Sequence, residues 1–142
     1  MIARTPLYLL DTNIVSELVR RRPDPGVLNW FQKQNIISIS SVVLEELGYG
    51  IERVPAEKKA ILEQWMATFL DIPPDIVPVD RKIALLAGRL RGAAESRGRT
   101  LSQADGLIAA TAVQAGMILV TRNTRDFEGL GLGLFNPFDP IL

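Results

Sequence analysis

Short continuous apolar runs alternate along this chain with longer stretches in which apolar residues return every three or four positions, the pattern of buried strands separated by amphipathic helices. Leu7-Tyr8-Leu9-Leu10 predicts a strand buried on both faces, and Asp11-Thr12-Asn13 ends it with helix-capping residues. A helix is expected next, with Ile14, Val15, Leu18 and Val19 inward. Pro23 and Pro25 then introduce a second, shorter helix with Val27, Leu28, Trp30 and Phe31 on its inner side. Residues 36–39 read as the next strand. Ser40 or Ser41 can cap a helix through about Arg53, and after Pro55 another is predicted from about Ala56 to Leu70, with Ile61, Trp65, Met66 and Phe69 inward. Pro73-Pro74 stops it. Residues 76–79 form a third strand, placed near a sheet edge because Pro78 has no N–H for a ladder hydrogen bond. Asp80 caps a basic helix through about Arg97, which Gly98 ends. Ser102 opens a helix that runs to about Ala115 and stops at Gly116. Residues 117–120 and 134–135 supply two more strands, the last after a Gly-rich stretch around Gly129, Gly131 and Gly133.

Strands separated by helices imply an α/β fold, a central and mainly parallel sheet with helices on both faces, in one domain over residues 1–142. Such sheets bind ligands beyond the carboxyl ends of their strands, where the strand order reverses. Asp11 directly follows the first strand and Thr121-Arg122-Asn123 the fourth. If those strands are neighbours, their ends share one crevice.

Composition narrows the chemistry. The chain has neither His nor Cys, which excludes imidazole or thiolate metal sites, Cys nucleophiles, Ser-His-Asp triads and disulfides, so any catalysis must rest on carboxylates. Lys plus Arg and Asp plus Glu both number 16, and this balance gives no overall field to capture duplex DNA. Residues 81–99 are locally basic, with Arg81, Lys82, Arg89, Arg91, Arg97 and Arg99 against Glu95. That strip is either a solvated helix face or a phosphate contact. Hydrophobic residues make up 47% and the mean hydropathy is +0.16, values that anticipate a covered surface, by a homo-oligomer or a protein partner. No apolar run reaches the ~20 residues of a membrane span and no signal-peptide pattern opens the chain, so a cytoplasmic location is expected.

The acids divide by position. Asp11 is either a helix N-cap or a ligand at the strand end. On a helical wheel centred on Leu47, with Val43, Leu44, Gly50 and Ile51 inward, Glu46 falls at the border of the apolar face and Glu45 opposite it. Asp105 lies within the inward stripe of Ala104, Ile108, Thr111, Ala112 and Ala115. It is either aimed at a cleft or part of a capping box with Ser102. Asp126 sits in a loop, as a turn residue or a ligand, while Asn123 offers a neutral carbonyl oxygen and Thr121 a hydroxyl. Acids gathered in one pocket repel one another unless a cation offsets them, and an oxygen-only donor set favours Mg²⁺, or Mn²⁺ in its place, over Zn²⁺. Phosphodiester hydrolysis is the matching chemistry.

The segments LLDTNIVSEL (9–18), SSVVLEELGYGI (40–51), ADGLIAATA (104–112) and VTRNTRDF (120–127) together resemble the motifs of the PIN-domain family, in particular the VapC/FitB-like toxins of toxin–antitoxin pairs. LFNPF (134–138) is similar to the C-terminal ending of the FitB-like branch. The resemblance implies a three-layer α/β/α sandwich, cleavage of RNA with Mg²⁺ or Mn²⁺, and Asp11, Glu46 and Asp105 as the first three family acids. The matching mechanism has Asp11 and Asp105 hold the principal metal, Glu46, itself a candidate metal ligand, orient or deprotonate the attacking water, and Asp126 or Asn123 complete the shell. At the fourth position Asn123 stands where that branch often has Asp, and Asp126 is the nearest replacement. The family pattern also brings a cognate antitoxin lying across the cleft, a homodimer and a toxin–antitoxin hetero-oligomer. Two other classes share the broad features. A phospho-accepting receiver needs a Lys after a late strand, and here no Lys follows Lys82; a catalytically silent PIN-fold binding module would keep the fold without the chemistry.

Overall fold

The computed structural model describes residues 6–71 and 74–138. The break expected at Pro73 and the extreme ends of the chain lie outside them. Five short strands, β1 (Tyr8–Leu10), β2 (Ser38–Ser40), β3 (Asp75–Val77), β4 (Ile118–Val120) and β5 (Leu134–Phe135), form one sheet in the order β3-β2-β1-β4-β5, every pair parallel. Helices α1 (Thr12–Leu18), α2 (Pro25–Gln32), α3 (Ser41–Glu52), α4 (Ala56–Asp71), α5 (Arg81–Ser96) and α6 (Gln103–Ala115) cover it in a three-layer α/β/α arrangement. A parallel sheet covered on both faces explains why its central strands read as unbroken apolar runs. Leu9, Leu10, Ile39, Leu119 and Val120 are fully buried, and Ile14, Val15, Val27, Val43, Ile108 and Ala112 pack onto them from the helices.

Local chemistry sets the helix starts. Asp11, Asp24, Ser40, Asp80 and Ser102 are the N-caps of α1, α2, α3, α5 and α6, each accepting a backbone N–H that the helix itself leaves unpaired. Of the two serines offered for α3, Ser40 caps it, while the Ser41 hydroxyl accepts the Val79 N–H at 3.1 Å and ties α3 to the chain after β3. Gly116 ends α6 in the left-handed conformation at φ 66°, where a Cβ would be strained. Helix α6 is buried almost all round, because α5 closes over the side that the sheet does not cover. Ala87 and Gly106 permit that approach: a Cβ on Gly106 would stand 2.7 Å from Arg91 Cγ.

Several expectations are corrected. Strand β2 begins at Ser38, and Ile36, read as part of it, is exposed. The third strand is Asp75–Val77, ending before Pro78, at the sheet edge as anticipated. Ile61 was expected inward but is 69% exposed: α4 has no fully buried residue, since it lies at the margin of the core and only Trp65, stacked on Phe69, and Phe69 itself reach it. Gly50 likewise faces outward on the last turn of α3. The segment after Asn123, read as a loop, forms a 3₁₀ turn over Thr124–Phe127, anchored by the buried Phe127 ring.

Candidate active site

The register of β1 on β4 pairs Leu10 with Val120, so the next residues, Asp11 and Thr121, leave the sheet side by side where the strand order reverses. Asp11 N–H bonds the Val120 carbonyl at 2.9 Å. The Asp11 carboxylate is held from two sides, Oδ1 by the Thr12 N–H at 2.8 Å and Oδ2 by the Thr121 hydroxyl at 2.8 Å and Asn13 Nδ2 at 3.3 Å. Asn13 Nδ2 also reaches Thr121 Oγ1 at 3.3 Å, and Asn13 Oδ1 accepts the Arg122 N–H at 3.2 Å. Asp11 is therefore both the cap of α1 and a member of a network joining two strand ends.

Glu46 and Asp105 come to the same cleft from α3 and α6. Asp11, Thr12, Asn13, Ser16, Glu17, Arg20, Glu46, Asp105 and Asn123 line it together, around about 420 Å³. Glu46 Oε1 accepts the Thr12 hydroxyl at 2.6 Å, which ties the carboxylate to the first turn of α1. Asp105 stands in the first turn of α6, half-buried. Its N–H bonds Ser102 Oγ at 3.1 Å, but no bond runs from the Ser102 amide back to its carboxylate, so the capping box is only half made. Asn123 lines the cleft. Asp126, exposed on the 3₁₀ turn, does not line it, although its charge is felt at Asp105.

The electrostatics follow from burial. Asp11 is 5% exposed, and desolvation pushes its carboxyl up from 3.8 to about 6, against the hydrogen bonds of Thr121 and Thr12 and with help from the charges of Asp105 and Glu46. Burial also raises Asp105, partly opposed by the Ser102 hydroxyl and reinforced by Glu46 and Asp126. Both carboxyls thus sit where a nearby positive charge would be welcome. Among the described residues no three acids form a ready-made metal cage. The all-oxygen donor set fits a hard ion such as Mg²⁺.

Nothing in the sequence singles out Glu17. It is buried on α1, where Oε2 accepts the Asp24 N–H at 2.8 Å and Oε1 pairs with Arg20 at 3.3 Å. Its position next to Leu18 on a short helix carried no signal, because its partners come from the following loop. Of the basic strip, Arg91 Nε bonds the Leu101 carbonyl and Arg99 bonds the carbonyls of Arg125 and Glu128, so these two serve structure.

A doubly wound α/β/α sandwich thus places Asp11, Glu46 and Asp105 around one cleft at its switch point. The PIN domain model matches residues 8–131, and the chain belongs to the PIN-domain family. It is similar to a VapC ribonuclease of Sinorhizobium fredii, 34% identical over 139 residues that take in 94% of this chain and 99% of the relative. Among solved structures, it superposes on FitAcB from Neisseria gonorrhoeae with a TM-score of 0.85 and 31% identity, covering 92% of this chain and 98% of that one. A toxin–antitoxin complex from Klebsiella pneumoniae gives a TM-score of 0.73 at 28% identity, with 94% and 99% covered.

Proposed function

We propose that this chain is an endoribonuclease that uses Mg²⁺, or Mn²⁺ in its place, to hydrolyse RNA phosphodiester bonds, and that it is the toxin of a toxin–antitoxin pair. The observation that carries the reading is the meeting of Asp11, Glu46 and Asp105, from β1, α3 and α6, in one cleft at the strand ends. Its family membership and the activity named for its relatives point the same way.

Asp11 and Asp105 would hold the ion, with the Asn123 amide oxygen or Asp126 completing its surroundings. When bound, such an ion supplies Lewis-acid stabilisation of the charge that develops on the phosphate under attack. The protein's own groups do the rest. Thr121, Asn13 and the Thr12 amide hold the Asp11 carboxylate in one orientation, so no reorganisation is needed when substrate arrives. Thr12 fixes Glu46, and the second Glu46 oxygen, Oε2, accepts the proton of the attacking water. Water adds to phosphorus in line as the opposite P–O bond breaks, and the leaving oxygen takes up a proton from solvent. A bent single strand enters such a crevice more readily than a duplex.

Among the described residues no helix is long and apolar enough to cross a membrane. The partner class is a small antitoxin whose C-terminal segment covers the cleft and sets a basic side chain among the acids, and a homodimer of this chain is part of the same assembly, in the cytoplasm. The test is to incubate purified protein with Mn²⁺ and single-stranded RNA beside Asp11→Asn and Asp105→Asn variants. Cleavage by the parent alone supports the reading; no cleavage of any RNA tried, or equal cleavage by all proteins, overturns it in favour of a silent module.

A further inference from the structure

The acidic cleft has a basic neighbour. A second hollow of about 400 Å³ is lined by Glu17, Arg20, Arg22, Pro23, Asp24, Pro25, Arg122 and Phe138, and it shares Glu17 and Arg20 with the cleft. Three arginines meet there from two separate segments, the end of α1 with the turn after it, and the residue after Thr121. The two acids of the hollow already have work: Glu17 takes Arg20 and the Asp24 N–H, and Asp24 Oδ2 caps α2 through the Val27 N–H at 3.1 Å. Arg22 and Arg122 are both exposed. Arg122 is also held in place, its guanidinium lying 4.6 Å over the Phe138 ring, its N–H on Asn13 Oδ1 and its carbonyl on Asn136 Nδ2 at 3.5 Å. A guanidinium held over an aromatic ring still has N–H groups to offer a phosphate, and the pair offers a base a cationic and aromatic contact surface.

We infer that this hollow is a subsite for the nucleotide flanking the cleaved bond of a single-stranded RNA. Arg22 and Arg122 take its backbone phosphate, and the base stacks on the Arg122–Phe138 pair. The inference rests on the nuclease reading of the neighbouring cleft and adds to it the means of holding the strand. The need is electrostatic: a cleft lined with carboxylates repels every phosphate except the one a cation bridges, and a chain without net charge has no general field to compensate. The hydrogen bond from Arg122 N–H to Asn13, which itself bonds Asp11, keeps the subsite in register with the acids.

The experiment measures binding of a fluorescein-labelled, mixed-sequence single-stranded RNA twelve-mer to the full chain in EDTA, by anisotropy over a series of salt concentrations, so that cleavage plays no part. Arg22→Ala and Arg122→Ala are each expected to weaken binding about tenfold and to lower the salt slope by about 0.7 per lost phosphate contact. Arg122→Lys should restore the slope but not the full affinity, since the ammonium lacks the planar face. Arg89→Ala, on the exposed side of α5, serves as the charge-matched control and should bind as the parent does. Circular dichroism of each variant establishes that it is folded. Equal binding by the parent and both alanine variants overturns the subsite, as does an equal loss in Arg89→Ala, which would mark general charge attraction. If the parent cleaves RNA while the alanine variants bind normally, only the subsite fails. If binding depends on Arg22 and Arg122 but no RNA is cut, the catalytic reading fails and the nucleotide site stands.

Discussion

The Thr121 hydroxyl donates to Asp11 Oδ2 at 2.8 Å, joining residues 110 positions apart at the ends of two neighbouring strands. The bond is buried, and the carboxylate it serves is short of solvent. Replacing Thr121 by Val keeps the shape and removes the donor. The expected cost is about 1–3 kcal/mol of stability at neutral pH, read from urea melts. The loss should shrink at pH 4, where Asp11 is protonated in both forms.

A second bond orients Glu46, the proton acceptor in the proposed reaction. Thr12→Val leaves Glu46 Oε1 without its 2.6 Å donor, so the carboxylate can turn away from the position it holds in the cleft. RNA cleavage should fall on the order of 10–100-fold, the usual range for a group that orients a metal-site residue. Thr12→Ser should recover most of it. The stability change should stay small, because both side chains border solvent.

The raised carboxyl of Asp11 makes a signed prediction about pH. With a folded value of about 6 against 3.8 for an unperturbed Asp, the metal-free folded state binds more protons than the unfolded state between those values. Stability in EDTA should therefore fall as pH rises from about 4 to about 6 and level off above, by about 3 kcal/mol from this group, with Asp105 acting in the same direction. Asp11→Asn, which keeps a capping side chain, should flatten that slope and be more stable than the parent at pH 8 in EDTA. Thermal melts check this. Mg²⁺ should raise the melting temperature of the parent more at pH 8 than at pH 5, since the ion requires the ionised carboxylate.

Much of this arrangement is legible in the residues themselves. The parallel sheet follows from the short apolar runs at 7–10, 36–39 and 117–120, each separated from the next by helical spacing and followed by a capping or polar residue, although the second strand starts two residues later than its run. Helical periodicity puts Glu46 at the border of the apolar face of α3 and Asp105 on the inward stripe of α6, but it leaves a boundary residue or a cap equally open, and the resemblance to the family motifs singles them out. Periodicity fails where tertiary partners decide. Ile61 keeps helical spacing on α4, yet no layer lies over it. Glu17 is a charged residue that burial would exclude, had Arg20 and the Asp24 amide not arrived to satisfy it. The tie from Thr12 to Glu46 spans 34 residues and has no local signature.

Two glycines separate packing from propensity. Gly106→Ala puts a Cβ 2.7 Å from Arg91 Cγ and 2.8 Å from its Cδ, and moving Arg91 costs its bond to the Leu101 carbonyl. Overpacking of about 1–3 kcal/mol outweighs the helix gain of about 1 kcal/mol, so this variant should be less stable than the parent. Gly92→Ala, on the exposed side of α5 with nothing within 4 Å, should be more stable by about 0.5–1 kcal/mol. Urea denaturation of the pair reads both signs.

Shared contact of Asp11 and Asp105 with one divalent cation underlies the proposed reaction, and anomalous diffraction from crystals soaked in Mn²⁺ would show it. A manganese peak is expected in the cleft in contact with carboxylate oxygens of both residues, and it should be lost in Asp11→Asn. A well-ordered cleft with no peak at saturating Mn²⁺, or a peak held by other residues, would contradict it.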